Sequence, residues 1–509
     1  MTHSLPGFVQ VSDWTCRTGR RVRSERLSRL LFGVAAIVVG ASLAASLAWA
    51  LATLAVRPLD GVEGDVLFEA SRVRAGLPLY VDPVQGAHEQ GAPPARYLVL
   101  YPPLWSLLLA IAPSGAALYV GRIVATSAWL GTFAWIVKNA SPARRRATAA
   151  FGAFAAGVWV LALYGASARP DGFAILLAGF ALTRSARRAE VDFGAGALFV
   201  LAALVKPNVV GAMPGAFVAA FLTTRTLRPI LRGALGAVTA GGTFAAFATV
   251  LVGTRWIEHL TASTMQGPSA SLWRDQMIDR GPFFLLPFAV VAGIGYRARR
   301  DPGALVATGA LVTSVVWAIV SLAKIGSASN YFLEPCVAAA VVLSRANLPS
   351  LSARARVGAA MMCIVHSSWT GVASVQGALR GIPVAFARAR ALASVRATCG
   401  ALDGGIVLGD EPGIELSLDG RIVQTPFQST HRARLGKFPV DRWEADITHD
   451  NVRCLVMQDD LLERPLDRVD VAHDRFGPEL RGALVSRFEL VARAEGYLIY
   501  RVRAKKDDR

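Results

Sequence analysis

Two carboxylates, Glu63 and Asp65, flank a single glycine in GVEGDVLFEASRVRAGLPLYVDP (61–83), in a part of the chain otherwise poor in acids. A carboxylate held near cations stays ionised and can take the proton of an attacking hydroxyl. Cations are supplied further along: Arg169 stands two residues before Asp171 in ARPDGF, and Lys206 precedes a proline in LVKPN. Tyr101 opens YPPLW, whose proline pair suits a helix start, and Tyr331 and Glu334 lie in SNYFLEP. Brought together, these residues would make a polar site with a base on one side and anion-holding groups on the other. They are spread over 270 residues, so the elements between them must do the gathering.

Those elements are membrane-like. The chain has 509 residues, 53% of them hydrophobic and 18% charged, with a mean hydropathy of +0.42. That is too apolar for a soluble domain and indicates a multi-span membrane protein. The net charge of +18 is unevenly placed. Residues 401–509 hold 17 of the 54 basic and 20 of the 36 acidic side chains, so the positive excess belongs entirely to the first 400 residues. Basic loops beside apolar runs, followed by a balanced tail, describe membrane topology and not a nucleic-acid-binding face, and no nucleic-acid partner is expected.

The first span is expected at 29–55, an apolar run too long for a cleaved signal peptide. The basic stretch CRTGRRVRSERLSR precedes it and puts residues 1–28 in the cytoplasm, which makes 56–98 the first external loop. Apolar runs follow near 121–138, 147–166, 168–184, 193–206, 208–223, 231–253, 281–297, 303–322, 331–345 and 355–375. Threaded in alternation they leave ARRR (143–146), RSARR (184–188), RTLRPILR (225–232), YRARR (296–300) and SARAR (352–356) all inside. This gives about eleven spans over 29–375. YPPLWSLLLAIAP (101–113) is expected to be juxtamembrane or re-entrant, since counting it would invert everything after it. Residues 376–402 read as an interfacial linker helix and 403–509 as a small external α/β domain. Within the latter, NVRCLVMQ reads as a buried strand, and AEG joins two strands across 486–504. The fold class is therefore an all-α polytopic membrane domain followed by a small external α/β domain, multi-pass in the inner or plasma membrane. Cys399 and Cys454 are the two cysteines that would both lie outside, so one bridge between them is open to formation.

With this topology the acids sort by side. Asp60, Glu63, Asp65, Glu69, Asp82, Glu89, Asp171, Glu258, Asp275, Asp279 and Glu334 fall outside or at outer span ends, together with Arg169, Lys206 and Lys324; only Asp13, Glu25, Glu190, Asp192 and Asp301 fall inside. A helix beginning near Glu63 would have a loose apolar face of Val62, Leu67, Ala70, Val73 and Leu77, with both carboxylates at its positive end. Each candidate also has a purely structural role open to it. Glu63 can serve the helix dipole, Arg169 and Asp171 can be a structural pair, Lys206 can snorkel to the interface, and Tyr101 with its prolines can fix the start of a helix. The loop 254–280, polar with two tryptophans, can cap the site or lie in the interface.

The order acidic pair, FEA, G-x-P-x-Y, then YPPL opening an apolar helix resembles the first external loop of the GT-C membrane glycosyltransferases. The pattern is similar to the protein mannosyltransferase and aminoarabinose transferase group, and to the polyprenyl-phosphate-mannose-dependent mannosyltransferases. ARPDGFAILLAGF (168–180) resembles the family's second external acid at a helix start, LAALVKPNVVGAMPG (201–215) its Lys-Pro between short spans, and SNYFLEP a later motif. The sequence departs from the family at the acids themselves, which are often adjacent there and here are separated by Gly64. The resemblance implies transfer of a sugar from a polyprenyl-phosphate donor to a glycan, lipid or protein acceptor on the external side, among membrane lipids. It implies Glu63 as the base, with Asp65 second in line or a ligand to a divalent metal ion. Arg169 and Lys206 would hold the donor phosphate, supported by Tyr101, Asp171, Tyr331 and Glu334. No cofactor is certain. The chain has no Walker A sequence, no G-x-S-x-G and no H-E-x-x-H, and its histidines lack metal-ligand spacing. The alternative readings are a transporter or flippase of lipid-linked sugars, or a non-catalytic membrane scaffold. A transporter favours paired halves and mid-membrane charge, and neither is evident.

Overall fold

The computed structural model describes residues 10–56, 61–87, 96–264, 267–347, 352–400, 406–420, 422–449, 452–458, 460–465 and 475–503. Asp60, His88, Glu89 and His473, and the side chains of Asp13 and His449, lie outside the described residues.

Each of the eleven apolar runs falls on helix. The first is part of Gln10–Ala52, and the others lie on Ala117–Asn139, Asp171–Arg188, Phe193–Val205, Ala212–Thr224, Arg228–Val252, Ala270–Arg297, Pro302–Ser321, Leu333–Arg345 and Ala353–Gly400. The run 147–166 is divided between Pro142–Gly157 and Trp159–Gly165, which are bent by 79°. Among the described residues, five helices have the length and apolarity of a membrane span, or six if the bent pair is one. The expected count of eleven spans therefore exceeds what length and composition support. Phe193–Val205 and Ala212–Thr224 have 13 residues each and rise about 20 Å, short of the roughly 30 Å hydrocarbon core. Hydropathy cannot separate such helices from spans, because a helix enclosed by other helices needs the same apolar surface as one in lipid. Leu333–Arg345 is enclosed in this way, buried along nearly its whole length. Arg228–Val252, by contrast, leaves Leu231, Leu235, Val238 and Val250 exposed, an apolar flank suited to acyl chains.

Polar side chains mark where helices begin and break. Asp301 accepts from the N–H groups of Gly303 (2.9 Å) and Ala304 (3.1 Å), capping Pro302–Ser321 with proline in its first turn. At the 79° bend the carbonyl of Gly157 accepts from Ser42 Oγ (2.7 Å) and Ser46 Oγ (3.0 Å), while Trp159 N–H donates to Ser374 Oγ (3.1 Å). The first and last long helices thus satisfy the backbone groups that the break frees.

YPPLW starts a helix as expected, with Leu104–Ala110 following Pro103 directly. Its seven residues rise only about 10 Å, so it does not cross the membrane. The expected interfacial linker at 376–402 is not a separate element. Ala353–Gly400 runs unbroken for 48 residues, about 72 Å, against Gln10–Ala52 at one end and against the C-terminal sheet at the other.

That sheet has four strands: β1 (Ile406–Gly409), β2 (Val452–Met457), β3 (Phe488–Ala494) and β4 (Tyr497–Val502), in the order β1-β2-β4-β3. The β1–β2 pair is parallel and the other pairs are antiparallel. One face packs on Phe438, Trp443, Phe476 and Leu480; the other receives Ala391, Leu392, Val395 and Cys399 from the long helix. Cys399 and Cys454 are bonded, so a disulfide closes that seam.

Candidate functional site

Asp65 stands on the helix Gly61–Arg74, which ends in a left-handed glycine. Gly76 adopts φ +68°, its N–H bonds the Val73 carbonyl (3.1 Å), and the Leu77 N–H reaches back to Arg72 (2.9 Å). This double closure stops the helix and sends the chain into GLPLY. The Tyr80 hydroxyl then donates to the carbonyl of Tyr101 (3.0 Å), Arg72 Nε donates to the Pro78 carbonyl (2.9 Å), and the Arg72 guanidinium lies over the rings of Phe68 and Tyr97. The tyrosines of the two sequence motifs are therefore one joint. His259, from the helix Arg255–Thr264, braces it by accepting from Val99 N–H (3.0 Å) and contacting the Val81 carbonyl (2.7 Å). Burial pulls its imidazole down to about 4, so it is neutral at physiological pH. The helix Arg255–Thr264 thus buttresses the segment that follows Gly61–Arg74.

The helix Gly61–Arg74 does not have the one-sided apolar face expected of it. Every residue from Glu63 to Ala70 is buried, because Leu104–Ala110 covers it on one side and Pro412–Asp419 of the C-terminal domain on another. Gly64 is where the latter contact is closest. A Cβ there would lie 2.4 Å from Gly413 Cα and 2.5 Å from Gly413 N, so only glycine admits the approach. Beside it, Arg96 N–H donates to the Val423 carbonyl (2.7 Å), Arg96 Nε to Asp446 (2.9 Å) and Leu98 N–H to Thr425 Oγ1 (3.1 Å). The departure from adjacent acids is thus explained: the residue between Glu63 and Asp65 is the seat of another domain. Gly64→Ala is expected to push that domain off the helix and lower turnover about 10²-fold through misplacement of Asp65. Unchanged activity in purified Gly64→Ala would show that this contact does not form in the working protein.

One cavity of about 330 Å³ brings most of the expected residues together. Asp65, Tyr101, Arg169, Lys206 and Tyr331 line it, along with Lys324, Asn208 and Asn330. Asp171 is fully buried behind the wall, where Lys206, Arg169 Nε (3.3 Å) and Asn330 Nδ2 (3.1 Å) converge on its carboxylate. Arg169 also lies 4.8 Å from the Tyr164 ring centroid, and Lys206 Nζ 5.6 Å from that of Tyr101. Asp171 therefore holds both cations from behind, at the wall of the cavity that they line. Tyr101 is half-buried among the charges of Arg169, Asp171 and Asp65; burial above all raises its hydroxyl, so it remains a proton donor.

Two expected site residues lie elsewhere. Both oxygens of Glu63 are held by Arg122, Nε to Oε1 at 2.7 Å and Nη2 to Oε2 at 2.6 Å, and Ala168 N–H adds a third bond at 2.7 Å. Arg122 in turn donates to the carbonyls of Thr53, Leu54 and Val56 at the end of the first span. Glu63 thus ties three elements together and sets the turn that carries Arg169; it does not line the cavity. Glu334 accepts from Gly211 N–H (2.9 Å) and Ala212 N–H (3.0 Å), capping Ala212–Thr224 from a neighbouring helix. Glu69, the acid of FEA, is buried against Ser106, and burial raises its carboxyl to about 8, which leaves it neutral at pH 7.

Lys324, placed by the sequence with Arg169 and Lys206 at outer span ends but without a role, joins them at the cavity; burial lowers its ammonium below the ordinary lysine range. The remaining wall was not legible at all. Asp410, Pro412, Pro426, Phe427, Gln428 and Arg475 come from the C-terminal domain. Nothing in their sequence signals contact with a loop more than 300 residues earlier. Among the described residues, no three His, Cys, Asp or Glu side chains group as a metal site; the cavity wall carries two carboxylates, Asp65 and Asp410, with the cations Arg169, Lys206, Lys324 and Arg475.

No protein-family model and no curated protein matches the sequence. Among solved structures the chain is similar to ArnT from Cupriavidus metallidurans in the apo state, with a TM-score of 0.51 and 14% identity, covering 90% of this chain and 96% of that one. It is also similar to the oligosaccharyltransferase of Archaeoglobus fulgidus in the apo form, with a TM-score of 0.51 and 11% identity over 84% of this chain and 69% of that one. At such identities what is shared is the fold.

Proposed function

We propose that this GT-C-fold chain is a membrane glycosyltransferase that takes a sugar from a polyprenyl-phosphate donor. The observation that carries the reading is the common cavity of Asp65 with Arg169, Lys206 and Lys324. Asp65 is the base that removes the proton of the acceptor hydroxyl as that oxygen bonds to the anomeric carbon. The bond from that carbon to the donor phosphate breaks, and the electron pair leaves with the phosphate, whose added charge Arg169, Lys206 and Lys324 receive. Asp171 orients two of those cations before the donor arrives, and Glu63 orients the turn that bears Arg169. No step is routed through a divalent ion; Asp65, with Asp410 lining the same cavity, is the side chain that would hold one.

Two features bear on the side of the membrane. Basic loops gather at the opposite helix ends, and the disulfide Cys399–Cys454 suits an oxidising compartment. Both support an external, periplasm-type site. The test is a purified, reconstituted protein given polyprenyl phosphate carrying a labelled sugar and a mixture of envelope acceptors. Consumption of the donor with label appearing in an acceptor is expected. A flippase would move the donor across the bilayer without consuming it, and a scaffold would do neither; either result would overturn the transferase reading.

A further inference from the structure

The cavity has a second wall of different chemistry, and we infer that Phe427, Gln428 and Arg475 on it form the acceptor subsite and select a carbohydrate acceptor. The inference rests on the transferase reading and names the partner that reading leaves open. All three residues come from the C-terminal domain and face the same cavity as Asp65 and the phosphate-holding cations. With the donor's anion held among Arg169, Lys206 and Lys324, the nucleophile must enter from the remaining side, which is this one.

The class of acceptor follows from what the wall contains. Phe427 is half-buried, its ring 5.6 Å from the Arg475 guanidinium on one side and packed edge-on against His431 at 4.6 Å on another. A fixed ring of this kind offers a negative face to the polarised C–H groups of a sugar. Gln428 carries both a donor and an acceptor, and Arg475, held by Glu411 at 2.9 Å, carries further donors; together they match a ring bearing hydroxyls. A peptide acceptor would look for backbone partners, but Pro412 and Pro426 occupy this wall and have no N–H to give. A second lipid tail would need a continuous apolar surface, and Phe427 is the one large apolar side chain that the C-terminal domain contributes to the cavity among the described residues.

The experiment uses the full-length protein in lipid nanodiscs, with polyprenyl phosphate carrying a labelled sugar as donor, bare polyprenyl phosphate as donor-site binding probe, and three acceptor arms: neutral oligosaccharides, a serine- and threonine-containing peptide, and lipid vesicles. The expected result is transfer of label to the oligosaccharides alone. Phe427→Ala should raise the oligosaccharide KM about tenfold, Arg475→Gln should do the same, and Phe427→Tyr should restore it, with polyprenyl phosphate binding unmoved throughout. Transfer to the peptide or vesicle arm with inert oligosaccharides would overturn the inference, as would an unchanged KM in both variants. Failure of polyprenyl phosphate to bind the wild-type protein would overturn the transferase reading itself, and this inference with it.

Discussion

Asp65→Asn should abolish sugar transfer, with turnover falling by about 10²–10⁴-fold, in a protein that folds and binds polyprenyl phosphate as before. The substitution keeps the shape and one acceptor oxygen of the side chain and removes its capacity to take a proton. Because Asp65 lines the cavity while its helix is held from both sides, little else should move. The check is a single-turnover assay beside a polyprenyl phosphate titration. Retained turnover in Asp65→Asn would sink its assignment as base, and with it the account of the loop as catalytic.

Glu63→Gln should behave differently, although the order of acids along the chain points to Glu63 first. Its carboxylate and the Arg122 guanidinium are both nearly excluded from water and bonded through two parallel contacts. Removing one charge from such a pair leaves the other buried and uncompensated, at a cost of about 3–5 kcal/mol. Arg122→Gln should cost a similar amount, since Arg122 also holds the carbonyls that end the first span. The expected signature is a lower melting temperature and poor recovery from the membrane, with transfer per folded molecule well above that of Asp65→Asn. A Glu63→Gln protein as stable as wild type but devoid of transfer would return the proton to Glu63.

The contrast between these two acids shows where sequence reading stops. Composition, the long apolar runs and the asymmetry of basic loops determined a helical membrane chain with a more polar C-terminal α/β tail, because hydropathy is summed over many residues and tolerates local error. The punctuation of the first loop was legible in part. The PP at 102–103 starts a helix through backbone geometry within a few residues, whereas the AG at 75–76 was not read as a stop, the expected apolar face running on to Leu77. The strands β2, β3 and β4 fell where alternation and turn residues put them. The number of crossings was not legible, because Phe193–Val205 and Leu333–Arg345 spend their apolar surface on other helices and carry the same residues that lipid would ask for.

The site divides along the same line. Asp65, Arg169 and Lys206 could be named from residue type and their place at helix ends. Which of two neighbouring carboxylates meets the cavity depends on a rotation of two residues, some 200° about the helix axis, and on which side Arg122 approaches; neither is a local property. The wall built by Phe427, Gln428 and Arg475 exists only once the C-terminal domain is seated on Gly64 and the long helix is bonded to β2. Sequence determined the chemistry the chain has to offer. Tertiary docking decided which of those groups share one space, because charge and hydrogen bonding act over a few ångströms while the residues that supply them lie hundreds of positions apart.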